Sequence, residues 1–79
     1  MNNANRDSIQ VTLSQDEALV LFEWLASLEQ KPNEPPDEAE QRVIWRLEGQ
    51  LESLLTVVVA ADYRERVLLA KKAVLNEGQ

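Results

Sequence analysis

Seventy-nine residues with a net charge of −6 and neither cysteine nor histidine allow one domain at most, without disulfides or a Cys/His zinc site. A chain this short buries only roughly 60–65% of the surface its unfolded form exposes, so helix packing and a partner surface are the stabilisers left to it. The longest charge-free apolar stretch, Ser53 to Ala61, falls far short of the roughly 20 residues that cross a bilayer, so no membrane span is expected.

Residues 1–7 are polar and read as a disordered tail, with residues 8–79 as a single helical domain. The segment MNNANRDSIQ has no apolar region of the kind a secretory leader carries, and a cytoplasmic location is the expectation. From Ser8 to Leu13, apolar and polar residues alternate, which predicts a short β-strand over 8–13 with Ile9, Val11 and Leu13 on its buried face. At Ser14 the period changes. Ser14-Gln15-Asp16-Glu17 is a capping box, and the spacing predicts a first helix over 15–30. Its core stripe is Ala18, Leu21, Phe22, Leu25 and Leu28, while Leu19, Val20 and Trp24 lie off that stripe. A helix apolar around so much of its circumference is either central in the domain or turned toward a second chain.

The run Lys31-Pro32-Asn33-Glu34-Pro35-Pro36 breaks the helix. Asp37 with Glu40 repeats the cap relationship and predicts a second helix over 38–55. Ile44, Leu47, Leu51, Leu54 and Val58 recur at alternating spacings of three and four, a seam for another helix, widened by Val43 and Leu55. Gly49 lies mid-helix and is either a tolerated surface residue or the mark of a close helix crossing. The segment from Thr56 to Ala60 reads as extended, with the Ile9 to Leu13 strand as a possible mate. Asp62-Tyr63-Arg64-Glu65 resembles a third capping box, opening a helix over 62–75. Tyr63, Val67, Ala70 and Val74 form its stripe, broadened by Leu68 and Leu75. The expected fold is mainly α, one short strand and then three helices. A lone strand needs a partner for its backbone groups, either within the chain or in a second copy.

Charge is distributed unevenly. Ser14 to Glu40 holds eight acids and one base, Lys31, whereas Gln41 to Gln79 holds five acids and six bases. The acidic half argues against nucleic acid as a partner, and the six bases are expected to pair with it or to be solvated. Glu38 with Arg42 and Asp62 with Arg66 have ion-pair spacing on a helix.

Chemistry-bearing patterns are absent. There is no histidine or cysteine for general-base, nucleophilic or metal work, and Gly49 and Gly78 are too few for a phosphate loop. Glu48 and Glu52 lie at i, i+4 and read as an exposed polar face, not a cation site. No catalytic residue, metal site or cofactor is therefore expected, and the chain is read as non-enzymatic. Trp24 and Trp45 are the largest residues on their helices and suit either a core edge or an interface anchor.

The blocks LSQDEALVLFEWL, AEQRVIWRLEGQLE and DYRERVLLA, spread from Val11 to Ala70, resemble those of a family of short bacterial proteins, a domain of unknown function with the same blocks in the same order. The resemblance implies no activity, cofactor or site residue. The expected function is that of a protein–protein interaction module, a homodimer or a binder of another protein, with Ile9, Val11, Leu13, Leu19, Val20, Trp24 and Trp45 at the interface. The alternative is a small regulator, antitoxin-like or of ribbon-helix-helix type, with Ser8, Gln10 and Thr12 facing DNA. The acidic first helix, the proline-rich connection and a third helix stand against that alternative.

Overall fold

The computed structural model describes residues 8–55 and 61–77. It contains three helices: α1 (Gln15–Leu28), α2 (Glu38–Leu54) and α3 (Tyr63–Asn76). The expected tail over 1–7 and the valine segment, Val58 included, lie outside the described residues.

Both predicted capping boxes at α1 and α2 form. The Glu17 amide donates to Ser14 Oγ at 3.0 Å, and the Ser14 amide donates to Glu17 Oε1 at 2.8 Å. The Glu40 amide donates to Asp37 Oδ1 at 2.8 Å, and the Asp37 amide donates to Glu40 Oε1 at 2.9 Å. Each box satisfies two donors that a helix start would otherwise leave to water. The Ser14 amide holds the Glu17 carboxyl below the usual carboxylate range. The third start differs from expectation. Asp62 caps nothing with its side chain; its carboxylate instead accepts from Arg66 Nε at 2.9 Å, which also holds its pKa below the usual value.

Helix α1 stops at Leu28, two residues short of the predicted end, because the Gln30 amide turns back to the Ser27 carbonyl ahead of Pro32. α2 ends where Leu55 turns extended. Gly49 is exposed, and a Cβ built on it meets nothing within 4 Å, so it marks no helix crossing.

α1 is the central element. Both α2 and α3 pack against it, and among the described residues α2 and α3 make no close backbone approach to one another. The side-chain bonds give the directions. Gln41 and Trp45, early in α2, both donate to Glu29 at the end of α1. Tyr63, opening α3, donates to Glu23 at 2.7 Å, and Ser14 donates to Glu77 at 3.2 Å. Both outer helices therefore run antiparallel to α1.

The core consists of Leu19, Leu25, Ile44, Leu51, Leu55, Val67 and Ala70, with Ala18, Val20, Leu21, Phe22, Leu28, Leu47 and Tyr63 packed against it. This corrects the first-helix stripe: Leu19 is 5% exposed, because a helix flanked on two sides buries more than one stripe. In α2 the seam passes through Leu55 and leaves Leu54 75% exposed. Measured from Leu51, Leu55 follows the i+4 row, while Leu54 falls to the flank. In α3 the stripe is as expected, but Leu68 and Leu75 do not broaden it; they stand 60% and 76% exposed.

The strand expected over 8–13 forms no ladder among the described residues. Ile9, Val11 and Leu13 are exposed instead of buried, Ile9 at 91%. The in–out distinction on which strand patterning depends is absent, since Ser8, Gln10 and Thr12 are exposed as well.

Candidate functional site

The features that stand out are apolar surfaces. Ten large apolar side chains are exposed among the described residues, and they fall into separate groups. Of the sequence-predicted interface residues, Leu19 belongs to the core and Val20 is half-buried against it. Ile9, Val11, Leu13, Trp24 and Trp45 are exposed.

The largest concavity lies between the C-terminal half of α1, the proline-rich connection and the start of α2. It is an open groove of about 770 Å³, walled by Trp24, Leu25, Leu28, Pro35, Pro36, Ala39, Val43 and Ile44. Its two charged lining residues are Glu34 and Glu40. Residues 35 and 36, prolines restricted to an extended path, form one wall without offering an amide donor. The indole of Trp24 forms the opposite side and is 56% exposed.

The structure does not bring the two tryptophans together. Trp45 follows Val43 by two residues, so on a helix it points about 200° away from the groove wall. Its indole N–H donates to Glu29 at 2.7 Å, and the residue borders a smaller depression with Pro36, Glu38, Gln41 and Arg42. Trp45 therefore clamps α2 to the end of α1 with its polar edge while one face stays in water.

A second depression, of about 290 Å³ and mixed character, lies near the start of α1, lined by Gln15, Asp16 and Arg66 as well as by Leu19, Leu54, Leu55 and Leu69. Sequence reading missed Leu54 and Leu69 as surface residues.

Charges are arranged locally. The ion pairs among the described residues are the two predicted from spacing, Arg42–Glu38 at 3.4 Å and Arg66–Asp62 at 2.9 Å. Each spans a single helical turn and is well exposed, so solvent screens it and it contributes little to stability. The first of them joins the basic half to the acidic half as expected, whereas the second lies within the basic half. Glu48 departs from a plain exposed face: partial burial, then the nearby Glu29 carboxylate, pushes its pKa up. Tyr63 is shifted up as well, by burial and then by its bond to Glu23. Among the described residues, no group of three or more acidic side chains could hold a metal ion, and no helix is long and apolar enough to cross a membrane.

The arrangement offers one mainly apolar groove with Glu34 and Glu40 in its lining. The chain matches no protein-family model, no curated protein and no solved structure, so a functional reading rests on this geometry.

Proposed function

We propose that this chain is a small non-enzymatic interaction module that associates with itself as a dimer. One observation carries the reading: ten large apolar side chains are exposed around a core of only seven buried residues. Exposed apolar side chains beside an exposed tryptophan, as at the Trp24 groove, are where protein interfaces place their anchors. Burial of that surface contributes roughly 25 cal/mol per Å² to association, before the entropy of joining two molecules is subtracted.

Residues 8–13 fit the same reading. Their alternation is that of a strand, and a strand needs a partner for its backbone groups. Paired with the same segment of a second copy, they would form an antiparallel ribbon and cover Ile9, Val11 and Leu13.

Sedimentation equilibrium tests the proposal. The expected result is a mass near twice the 9.0 kDa of the chain, dissociating on dilution. A mass of 9.0 kDa at every concentration up to about 1 mM, where association is worth only about 4 kcal/mol, would contradict it.

A further inference from the structure

The outward face of α3 is basic and apolar at once. At 100° per residue, Arg64, Leu68, Lys71, Lys72 and Leu75 all fall within about 100° of arc. The centre of that arc lies about 90° from the buried Val67 and about 150° from the buried Ala70, and all five side chains are exposed. It extends about 16 Å along the helix axis. No acid lies within it, and its three cations take part in neither of the ion pairs among the described residues. Such a face carries the apolar anchors of a helix that lies in a groove, at i and i+7, with positive charge beside them.

The groove between α1, the proline connection and α2 has the opposite character. Its walls are apolar and its charged lining residues are Glu34 and Glu40. Only one oxygen of Glu40 is engaged by the Asp37 amide. The groove also belongs to the segment from Ser14 to Glu40, where acids outnumber bases by eight to one.

We propose that the occupant of the groove is the outward face of α3 from a second copy, with Leu68 and Leu75 seated against Trp24, Pro35 and Val43, and Arg64, Lys71 and Lys72 meeting Glu34 and Glu40. This deepens the self-association reading and rests on it. Each copy carries both halves of the contact, so a two-fold pair makes it twice, each groove receiving the other copy's α3, as in an isologous dimer. Charge sets the register and apolar burial supplies most of the affinity. The complementary charges lie at the rim and remain open to salt. Raising ionic strength from about 0.01 M to about 1 M, which cuts the screening length from about 30 Å to about 3 Å, weakens the association without abolishing it.

A charge swap is the experiment. One full-length variant carries Lys71→Glu and Lys72→Glu; the other carries Glu34→Lys and Ala39→Lys. All four positions are exposed and none is a helix cap, and circular dichroism checks that both variants stay folded. Each variant alone is expected to associate at least about tenfold more weakly than the parent chain, because like charges then meet at the rim. An equimolar mixture is expected to recover a sedimenting mass near twice 9.0 kDa, because each reversed face then meets a reversed partner. If both variants associate as tightly as the parent, the dimer forms through another surface; this assignment falls and the proposed function stands. A parent chain that is monomeric overturns both. If the lysine variant loses binding to vesicles of anionic phospholipid while its self-association is unchanged, the α3 face serves a membrane surface and the assignment is wrong.

Discussion

Helices α1 and α3 have the same length, 14 residues, and both are rich in apolar side chains. α1 has packed neighbours on two sides and places apolar residues against the core over most of its circumference, Trp24 being the large exception. Among the described residues α3 makes its close backbone approach to α1 and none to α2, buries Val67 and Ala70, and leaves Leu68, Leu69 and Leu75 exposed. The comparison teaches that the fate of a leucine here is decided by how many neighbours its helix has. The leucines of α1 stabilise the fold, whereas Leu68, Leu69 and Leu75 of α3 lie on its surface.

Truncation separates the two roles most sharply. Leu25→Ala, which opens a cavity in the core, is expected to cost roughly 2–5 kcal/mol of folding stability in urea unfolding. Leu68→Ala is expected to leave the unfolding of the dilute chain within about 0.5 kcal/mol, as for exposed sites generally, while weakening self-association. Equal losses of stability at the two sites would erase the distinction between the helices.

The helix starts sharpen it further. Ser14→Ala removes a formed capping box from α1 and is expected to cost about 1 kcal/mol by thermal or chemical unfolding. Asp62→Ala removes from α3 only an exposed ion pair, and a smaller loss than that of Ser14→Ala is expected in the same unfolding curves. Between the two helices, Tyr63→Phe deletes the hydroxyl that bonds to Glu23 at 2.7 Å, an expected loss of about 1 kcal/mol. On the outer helix α2, Gly49→Ala is expected to add roughly 0.5–1 kcal/mol, since a methyl there meets open space.

The smallest effect concerns pH. The Glu48 carboxyl is raised above its ordinary 4.5 by burial and by Glu29, so the folded chain holds this proton more tightly than the unfolded chain does. The penalty is therefore present at neutral pH and disappears as pH falls through the raised value toward 4.5. Glu48→Gln is expected to stabilise the chain at pH 7 by roughly 0.2–0.5 kcal/mol, the scale of a like-charge pair on a helix. That gain should vanish near pH 4, in paired unfolding curves of parent and variant. Glu17 and Asp62, both lowered, contribute in the opposite sense: their stabilisation is present at neutral pH and is lost as the medium becomes more acidic.

Much of the helical frame was legible in the sequence, because it depends on short-range chemistry. Ser14 with Glu17 and Asp37 with Glu40 placed two helix starts to the residue, and the Tyr63–Val67–Ala70–Val74 spacing identified the inner side of α3. What was not legible depends on neighbours. Leu19 was assigned to an interface because nothing in the spacing reveals that α1 is flanked twice. Asp62 failed to cap because Arg66, one turn on, competes for its carboxylate. The Leu54–Leu55 choice turned on the rotation of the seam along α2. The groove was illegible for the same reason: Trp24, Pro35 and Val43 become neighbours only when α2 folds back along α1.

The central claim is that surface left open by one copy is closed by another, and Trp24 reports on it directly. In a Trp45→Phe background its indole is the sole tryptophan, and it stands 56% exposed at the groove. As protein concentration rises through the association range, its emission should shift to the blue and its quenching by acrylamide should fall. Emission and quenching that stay those of a solvent-exposed indole at every concentration would contradict the account.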